Sequence, residues 1–224
     1  MNLVRIWGFF SESSYRLLVT EYIENGSLAS ILFKDYILLE WKQRFVIALG
    51  VAKGLAYLHH ECLEWVIHCN VKPENILLDH NLEPKIADFG LAKLLNRGGC
   101  NQNVSQVRGT IGYIAPEWIS SLQITAKVDV YSYGVVLELV MGNRVLDLAI
   151  GADEEVHKVL RKLVEFLQHI LNREDPLSGQ FNYIQARTLI KLVVSCLDED
   201  KNKRPTMESI VQMILLAEET CTMH

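Results

Sequence analysis

The chain has 224 residues, of which 50% are hydrophobic and 22% charged, with a formal net charge of −5. This composition is typical of a folded globular domain, and the acidic balance argues against nucleic-acid or anionic-membrane partners, which need a basic surface. The five cysteines include no CxxC pair, which argues against a disulfide framework and a zinc site and predicts reduced thiols. No uninterrupted apolar run reaches the roughly 18 residues of a membrane span, so none is predicted.

The N-terminal segment has the pattern of a β-hairpin. Apolar, β-prone residues occupy positions 3–10 and 15–23, and the polar segment 11–14 separates them. Ser27 then follows a polar break and predicts the N-cap of a short helix that reaches residue 33.

The rest of the chain is predicted to be mainly helical. Apolar residues recur at helical spacing from Trp41 to His60, which indicates a long and largely buried helix. Short strand-like pieces follow at 76–78 and 85–87, and the glycine-containing polar stretch 92–115 predicts a long functional loop. Further helices are predicted over 126–141, 155–171, 185–197 and 206–219. The fold class expected from this order is α+β.

The residues that suggest chemistry lie between the helical blocks. Asn70, Lys72 and Asn75 share one short loop, and Asp88 begins an Asp-Phe-Gly turn a few residues later. A carboxylate and an amide oxygen are suitable ligands for a hard cation, and a lysine can neutralise a phosphoryl group. This combination is typical of phosphoryl transfer, in which the protein mainly positions reactants and stabilises charge.

The order of these motifs resembles the signature of eukaryotic protein kinases. That signature has an H-R-D-x-K-x-x-N loop, a D-F-G turn and an A-P-E segment. Here the matching segments read His68-Cys69-Asn70 with Lys72 and Asn75, Asp88-Phe89-Gly90, Ala115-Pro116-Glu117, Asp129 to Gly134, and Lys203-Arg204-Pro205. Five motifs in the family's order make the resemblance specific, although each motif alone is weak.

Longer stretches resemble the plant receptor-like serine/threonine kinases, especially the S-locus or G-type lectin branch. They are VAKGLAYLHHEC, VIHCNVKPENILLD, KIADFGLAKLL, VRGTIGYIAPEW and ITAKVDVYSYGVV. The resemblance implies a kinase-like fold whose mostly helical C-lobe, 25–219, follows a hairpin remnant of the N-lobe and hinge, 1–24. An activation segment over 88–117 and a tail over 220–224 complete the expected organisation. It also implies a cytoplasmic location, because these kinases lie on the cytosolic side of the plasma membrane.

The resemblance assigns roles to individual residues. It implies that ATP and Mg²⁺ are the cofactors, with Asn75 and Asp88 as metal ligands and Lys72 at the transferring phosphoryl group. The hinge residues Glu21 and Ile23, the gatekeeper Thr20 and Leu77 under the adenine ring correspond to the nucleotide site. Thr110 corresponds to the substrate loop, and structural roles fall to His68, Phe89, Glu117, Asp129 and Arg204. Glu117 and Arg204 are expected to form a buried ion pair, and His68 is expected to pack under Phe89.

Two departures from the family pattern bear on activity. Asn70 stands where the family has the aspartate that accepts the substrate hydroxyl proton. The chain also contains no Gly-x-Gly and no lysine before Lys34, so the phosphate-covering loop and the paired β3 lysine of the family find no match. On this pattern the sequence begins in the fourth strand of a truncated N-lobe, and binding of ATP by this chain is in doubt.

The leading hypothesis is therefore a catalytically impaired, pseudokinase-like domain that acts as a binding or scaffold module. Its expected partners are proteins, either substrates or intact receptor-like kinases. Two alternatives stay open, an active ATP-dependent serine/threonine kinase in receptor signalling and a gene fragment with no function of its own.

Overall fold

The computed structural model describes residues 1–12, 15–33, 39–95, 108–120, 124–141 and 183–222. The strands in these ranges are β1 (Ile6–Glu12), β2 (Tyr15–Thr20), β3 (Trp65–Ile67), β4 (Ile76–Leu78), β5 (Pro84–Ile86) and β6 (Lys93–Leu95). The helices are α1 (Leu28–Leu32), α2 (Trp41–Ala56), α3 (Pro116–Ile119), α4 (Lys127–Val140), α5 (Tyr183–Cys196) and α6 (Met207–Thr222). One π-helical turn, Tyr57–Glu61, continues α2, and two 3₁₀ turns span Pro73–Asn75 and Phe89–Leu91.

Most of the predicted elements are confirmed within one to three residues. Ser27 caps α1, because its side chain accepts a hydrogen bond from the Ser30 amide at 3.3 Å. Thr206 caps α6 in the same way, through the Ser209 amide at 3.2 Å. The expected helix 155–171 lies outside the described residues. The α+β class predicted from the sequence is confirmed.

One prediction is wrong in part. Residues 93–95, expected to belong to a long loop, form β6 and pair antiparallel with β3, where Val66 lies opposite Leu94. Each strand has only three residues, so neither carries a periodic pattern. The pairing partner is about thirty positions away in the chain, and only the folded structure brings the two segments together.

A single helical core supports the site. The central helix α2 packs against α6, β5 and α4, and α4 packs in turn against α5. Phe45, Ile47, Leu55, Val136 and Leu189 are each at most 3% exposed within this core. The core therefore supplies a rigid platform on which the short strands and loops between α2 and α4 are mounted.

The hairpin β1–β2, called here the N-terminal ribbon, lies outside this core. Its two strands pair antiparallel from Ile6 opposite Thr20 to Glu12 opposite Tyr15, with an irregularity between Ile6 and Gly8. Every described residue of the ribbon except Gly8 is exposed. The predicted hairpin is thus confirmed, but it contributes almost nothing to the core.

Residues 2–4 attach the ribbon to the core. The Val4 amide donates to the Ile86 carbonyl at 2.8 Å, and the Ile86 amide donates to the Asn2 carbonyl at 2.9 Å. The segment thereby lies parallel to β5 and passes directly over α2. Gly50 and Gly54 of α2 permit this close approach, because a Cβ at Gly54 would lie 2.8 Å from the Asn2 carbonyl oxygen.

A buried ion pair joins α3 to the helical body. Arg204 Nη1 lies 2.6 Å from Glu117 Oε1, and Nη2 lies 2.9 Å from Oε2, so the pair is bidentate. The Arg204 side chain is 0% exposed and that of Glu117 is 6% exposed. The structure thus forms the ion pair that the sequence predicts, and it also places the guanidinium 5.0 Å from the ring centroid of Tyr131.

We expect Gly54→Ala to destabilise the chain despite the higher helix propensity of alanine. The new methyl group would overlap the Asn2 carbonyl and Ile86 Cδ1, both 2.8 Å away, and backbone cannot move as a flexible side chain can. Overpacking of this kind costs about 1–3 kcal/mol, against roughly 1 kcal/mol gained in propensity. Urea unfolding measures the difference. Gly8→Ala is the control, because nothing lies within 4 Å of its Cβ position, and a stabilised Gly54→Ala variant would contradict the packing described here.

Arg204→Ala is expected to lower the free energy of unfolding by roughly 3–5 kcal/mol, because it leaves the Glu117 carboxylate buried without its partner. The exposed neighbour Lys203 provides the matched control, and Lys203→Ala should change stability by less than about 0.5 kcal/mol. The double variant Glu117→Ala, Arg204→Ala should lose less than the sum of the two single variants. An unchanged melting temperature in Arg204→Ala would refute this role of the pair.

Candidate active site

One buried carboxylate holds the loop that carries Asn70. Asp129, in the first turn of α4, is 0% exposed and accepts hydrogen bonds from the His68 amide at 2.7 Å and the Cys69 amide at 2.8 Å. His59 Nε2 lies 2.9 Å from the same carboxylate. Cys69 has a φ of +67°, a strained conformation for a residue with a side chain. The two amide bonds to Asp129 fix this strained turn and therefore the residues that follow it.

His68 has a structural environment. Its Nε2 lies 3.0 Å from the Ala87 carbonyl oxygen, and its Nδ1 accepts a hydrogen bond from the Asn70 amide at 3.2 Å. This pair of partners places the ring proton on Nε2 and occupies both nitrogens. The ring also packs edge-on against Phe89, with 5.2 Å between centroids. His68 therefore links the loop around Asn70 to the strand that leads into Asp88.

Cys69 occupies the position where the family's signature has arginine. The residue is 4% exposed, and burial, followed by the charge of Asp129, raises the pKa of its thiol far above the ordinary value. A neutral buried thiol offers no charge to a phosphorylated activation segment. Within the described residues, the loop thus has no arginine at the usual phosphate-binding position.

Four predicted site residues converge around Asn70. Lys72 Nζ donates to Thr110 Oγ1 at 2.9 Å, and Thr110 Oγ1 lies 3.4 Å from Asn70 Oδ1. On its other side, Asn70 Nδ2 lies 3.4 Å from Asp88 Oδ2. The side chain at position 70 therefore bridges the substrate-loop threonine and the Asp-Phe-Gly aspartate through one amide group.

Asn75 and Asp88 provide a donor set that fits a hard cation. Asn75 Nδ2 donates to the Asn70 carbonyl at 2.9 Å, which leaves its amide oxygen as the ligand atom. Asp88 has a φ of +63°, and its Oδ1 accepts from the Gly90 amide at 3.2 Å. A carboxylate and an amide oxygen are ligands that Mg²⁺ accepts, with the remaining positions filled by water or phosphate. In the part of the chain that is described, no group of three or more His, Cys, Asp or Glu residues offers a different metal site.

The predicted nucleotide-site residues lie around Lys85. The Glu21 carboxylate contacts Lys85 Nζ through both oxygens at 3.0 Å, and its Oε1 accepts from the Arg5 amide at 2.8 Å. Two hydrogen bonds lower the pKa of Glu21. The larger effect comes from the Arg5 backbone amide, and the next from the Lys85 side chain. Leu77 lies opposite Lys85 in the β4–β5 pair and is half-buried.

The connecting segment beside these residues is also tied to β4. Ile23 is 7% exposed, whereas Thr20 at the end of β2 is exposed. The Asn25 amide donates to the Leu78 carbonyl at 3.1 Å, and Ser27 forms an isolated bridge with Leu77. These contacts bring the hinge-like segment and Leu77 onto one side of the site.

Two residues with structural consequences escaped the sequence analysis. His59 shares the Asp129 carboxylate and is 2% exposed, yet it looked like an ordinary polar end of a helix. Lys85 holds Glu21, although nothing in its flanking residues distinguishes it from a solvent-exposed lysine of a short strand. For His59, the His59-His60 pair at the end of an apolar helix was the one sequence feature that could have indicated a buried role. For Lys85 the sequence offered no such feature.

The described helices include none that is long and apolar enough to cross a membrane. This finding concerns only the ranges given above.

Comparison with known proteins identifies the family. Residues 1–216 match the family described as protein kinase domain. The receptor protein kinase ZmPK1 of Zea mays is 68% identical in an alignment 232 residues long, which covers 98% of this chain and 28% of that protein. A G-type lectin S-receptor-like serine/threonine-protein kinase of Arabidopsis thaliana is 46% identical, covering 96% of this chain and 26% of its own length. A second Arabidopsis thaliana protein of the same description is 46% identical over 96% of the chain and 27% of its own length.

The chain spans between a quarter and a third of these relatives. The family match covers nearly all of it, in agreement with the motif order and with the assembly of Asn70, Lys72, Asn75 and Asp88 on one loop system. The chain belongs to the protein kinase family, as a kinase domain of the receptor-like serine/threonine kinases.

Proposed function

We propose that this kinase domain is catalytically impaired and serves as a protein-binding module. The observation that carries the proposal is the amide of Asn70 at the position of the proton-accepting carboxylate. An amide has no titratable acceptor near neutral pH, so it cannot take up the proton of a serine or threonine hydroxyl. Loss of a positioned general base reduces the rate by about 10²–10⁴-fold.

The contacts of Asn70 support this proposal. Its Nδ2 lies 3.4 Å from the Asp88 carboxylate, at a place where an aspartate would set two negative charges against each other. Its Oδ1 lies 3.4 Å from the Thr110 hydroxyl, which is itself held by Lys72. Asn70 is thus well suited to hold the loop together without a metal ion, and poorly suited to accept a proton.

The remaining parts favour binding. Asn75 and Asp88 would hold Mg²⁺, which supplies positive charge to the phosphates of ATP when both are bound. Lys72 remains positioned by Thr110 at 2.9 Å. The neighbouring Ile111 is 90% exposed and offers an apolar contact to a protein segment laid along the substrate loop. The partners that fit this surface are protein substrates or intact receptor-like kinases on the cytosolic side of the plasma membrane.

The proposed organisation follows the attachments in the structure. Residues 1–24 form a hinge-side unit that touches the body through residues 2–4 and Glu21. Residues 25–219 form the C-lobe, with an activation segment over 88–117 and a tail over 220–224. In this division the binding surface belongs entirely to the C-lobe.

A second candidate is an active serine/threonine kinase. One observation favours it, namely the unbroken series of contacts from Lys72 through Thr110 and Asn70 to Asp88. The side-chain oxygen of Asn70, Oδ1, can accept a hydrogen bond from a substrate hydroxyl and orient it, and orientation alone accounts for a large part of many enzymatic rate enhancements.

Phosphate transfer from labelled ATP to a serine- and threonine-containing protein distinguishes the two candidates. We expect Asn70→Asp to transfer phosphate at least about 100-fold faster than the unmodified chain, because it restores the proton acceptor. Asn81→Asp is the matched control, since it adds the same charge on an exposed loop outside the site and should leave the rate unchanged. Asp88→Ala in the Asn70→Asp background should abolish any gain.

Magnesium-dependent transfer by the unmodified chain, lost in Asp88→Ala, would overturn the proposal and establish the second candidate. A rate that stays at background in both the unmodified chain and Asn70→Asp would show that Asn70 alone does not account for the impairment. That result would remove the observation on which the proposal rests.

A further inference from the structure

A cavity of about 280 Å³ lies where the π-helical turn after α2 meets the first turns of α4 and α6. Trp65 of β3 and the loop residues Lys201 and Asn202 complete its wall. Among the described residues that line it, none belongs to the metal, nucleotide or substrate-loop positions discussed above. The cavity, called here the α4–α6 cavity, is therefore separate from the candidate active site.

Much of the cavity wall is apolar or aromatic. Val130 and Met207 line it and are 1% and 0% exposed. Trp65 and His60 add two rings in an edge-on contact, with 6.0 Å between their centroids. Burial, followed by the charge of His59, lowers the pKa of His60, so its ring is neutral at pH 7. Flat rings and methyl groups of this kind favour an aromatic body in the ligand.

The wall also carries one fixed positive charge. The Lys127 ammonium donates to the carbonyl oxygens of Arg204 and Pro205, the latter at 3.1 Å. An ammonium has three N–H donors, so these two bonds fix its position and leave one donor for a further acceptor. In the part of the chain that the structure describes, no carboxylate pairs with Lys127.

The environment of Lys127 favours an anionic ligand. Burial, followed by the charge of Arg204, lowers the pKa of Lys127, which shows that the ammonium lacks part of its solvation and has a cation nearby. Lys201 adds a second cationic side chain, and no described aspartate or glutamate lines the cavity. The carboxylates of Glu208 and Glu61 act on the pKa of His60 but lie outside the lining. A bound anion would offset the cost of holding Lys127 charged.

The volume sets the size of the ligand. An apolar cavity of about 150 Å³ holds one benzene molecule. The α4–α6 cavity, at about 280 Å³, is nearly twice as large and has room for two fused rings. It is also close to the lower end of the range of ligand pockets in proteins, which begins at about 300 Å³.

We propose that the α4–α6 cavity binds a small aromatic carboxylate. Its rings pack against Val130, Met207 and Trp65, and its carboxylate accepts the remaining N–H of Lys127. The proposal is independent of the catalytic state of Asn70, because none of these residues takes part in phosphoryl transfer.

The cavity lies against the anchor of the loop that carries Asn70. His59 lines the cavity, and its Nε2 lies 2.9 Å from the Asp129 carboxylate. The same carboxylate accepts the amides of His68 and Cys69. A ligand that packs on His59 therefore restricts the group that holds this loop, and it should slow hydrogen exchange of these two amides.

Titration calorimetry of the unmodified chain at pH 7, with 2-naphthoate as the probe, tests the proposal. One 2-naphthoate should bind per chain. The uncharged 2-naphthamide has nearly the same shape and should bind about 10-fold more weakly, because it replaces a charge-assisted hydrogen bond with a neutral one. Nuclear Overhauser contacts between the naphthalene protons and the Met207 methyl group should place the ligand in the cavity.

A matched pair of lysine variants tests the charge. Lys127→Met keeps the apolar stem and removes the ammonium, so the affinities for the two probes should come within about 3-fold of each other. Lys203→Met is the control, because Lys203 is exposed and outside the lining, and it should keep the full difference between the probes. Circular dichroism checks that both variants fold, and the comparison of the two probes on the unmodified chain needs no substitution.

A second variant tests the space. Ala126 lines the cavity directly before α4, and Ala126→Leu would fill part of the volume. Alanine and leucine are equally poor at a helix N-cap, so the change should not weaken the start of α4. Both probes should bind to Ala126→Leu at least about 10-fold more weakly than to the unmodified chain.

Four outcomes would contradict the proposal. Equal affinity of the unmodified chain for the two probes would show that no charge is recognised, and no binding of 2-naphthoate at about 1 mM would show that the cavity is not a site for it. Binding that is unchanged in Ala126→Leu and gives no contact with the Met207 methyl group would place the ligand elsewhere. Unchanged exchange of the His68 and Cys69 amides on binding would refute the link to the loop.

Discussion

The buried carboxylate of Asp129 is the interaction on which the site depends. It accepts the amides of His68 and Cys69 and contacts His59, so its charge is compensated although its exposure is 0%. Without these bonds a buried carboxylate would be strongly unfavourable, and the strained backbone at Cys69 would relax. Asp129 belongs to the first turn of α4, which is part of the helical core. Its hydrogen bonds therefore fix the loop that carries Asn70 directly to that core.

The chemistry of the site follows from what that platform holds. His68 has both ring nitrogens occupied, and the Asn70 side chain lies between Thr110 and Asp88. The side-chain amide at position 70 is a poor proton acceptor. The site therefore places the side chains of Lys72, Asn75 and Asp88 around an amide at position 70.

Residues 1–24 are joined to this platform by few of the described contacts. The parallel segment 2–4, the glycines of α2 and the Glu21–Lys85 ion pair attach them, while the ribbon beyond is exposed on both faces. The helices that follow, by contrast, pack around a common core, and the Glu117–Arg204 ion pair joins α3 to it.

The sequence by itself determined the features that depend on local pattern. Helical periodicity located α2, α4, α5 and α6, and the cap at Ser27 placed the start of α1. The order of motifs pointed to the kinase family and to the Glu117–Arg204 pair. Only the tertiary structure decided the pairing of β3 with β6, the attachment of residues 2–4 to β5, and the sharing of Asp129 by His59. Each of these joins segments distant in the chain through backbone groups or a single side chain, which leave no periodic signature. The sequence also did not determine how exposed the ribbon is. An alternating apolar pattern indicates that a strand can be buried, but it does not indicate which element covers it.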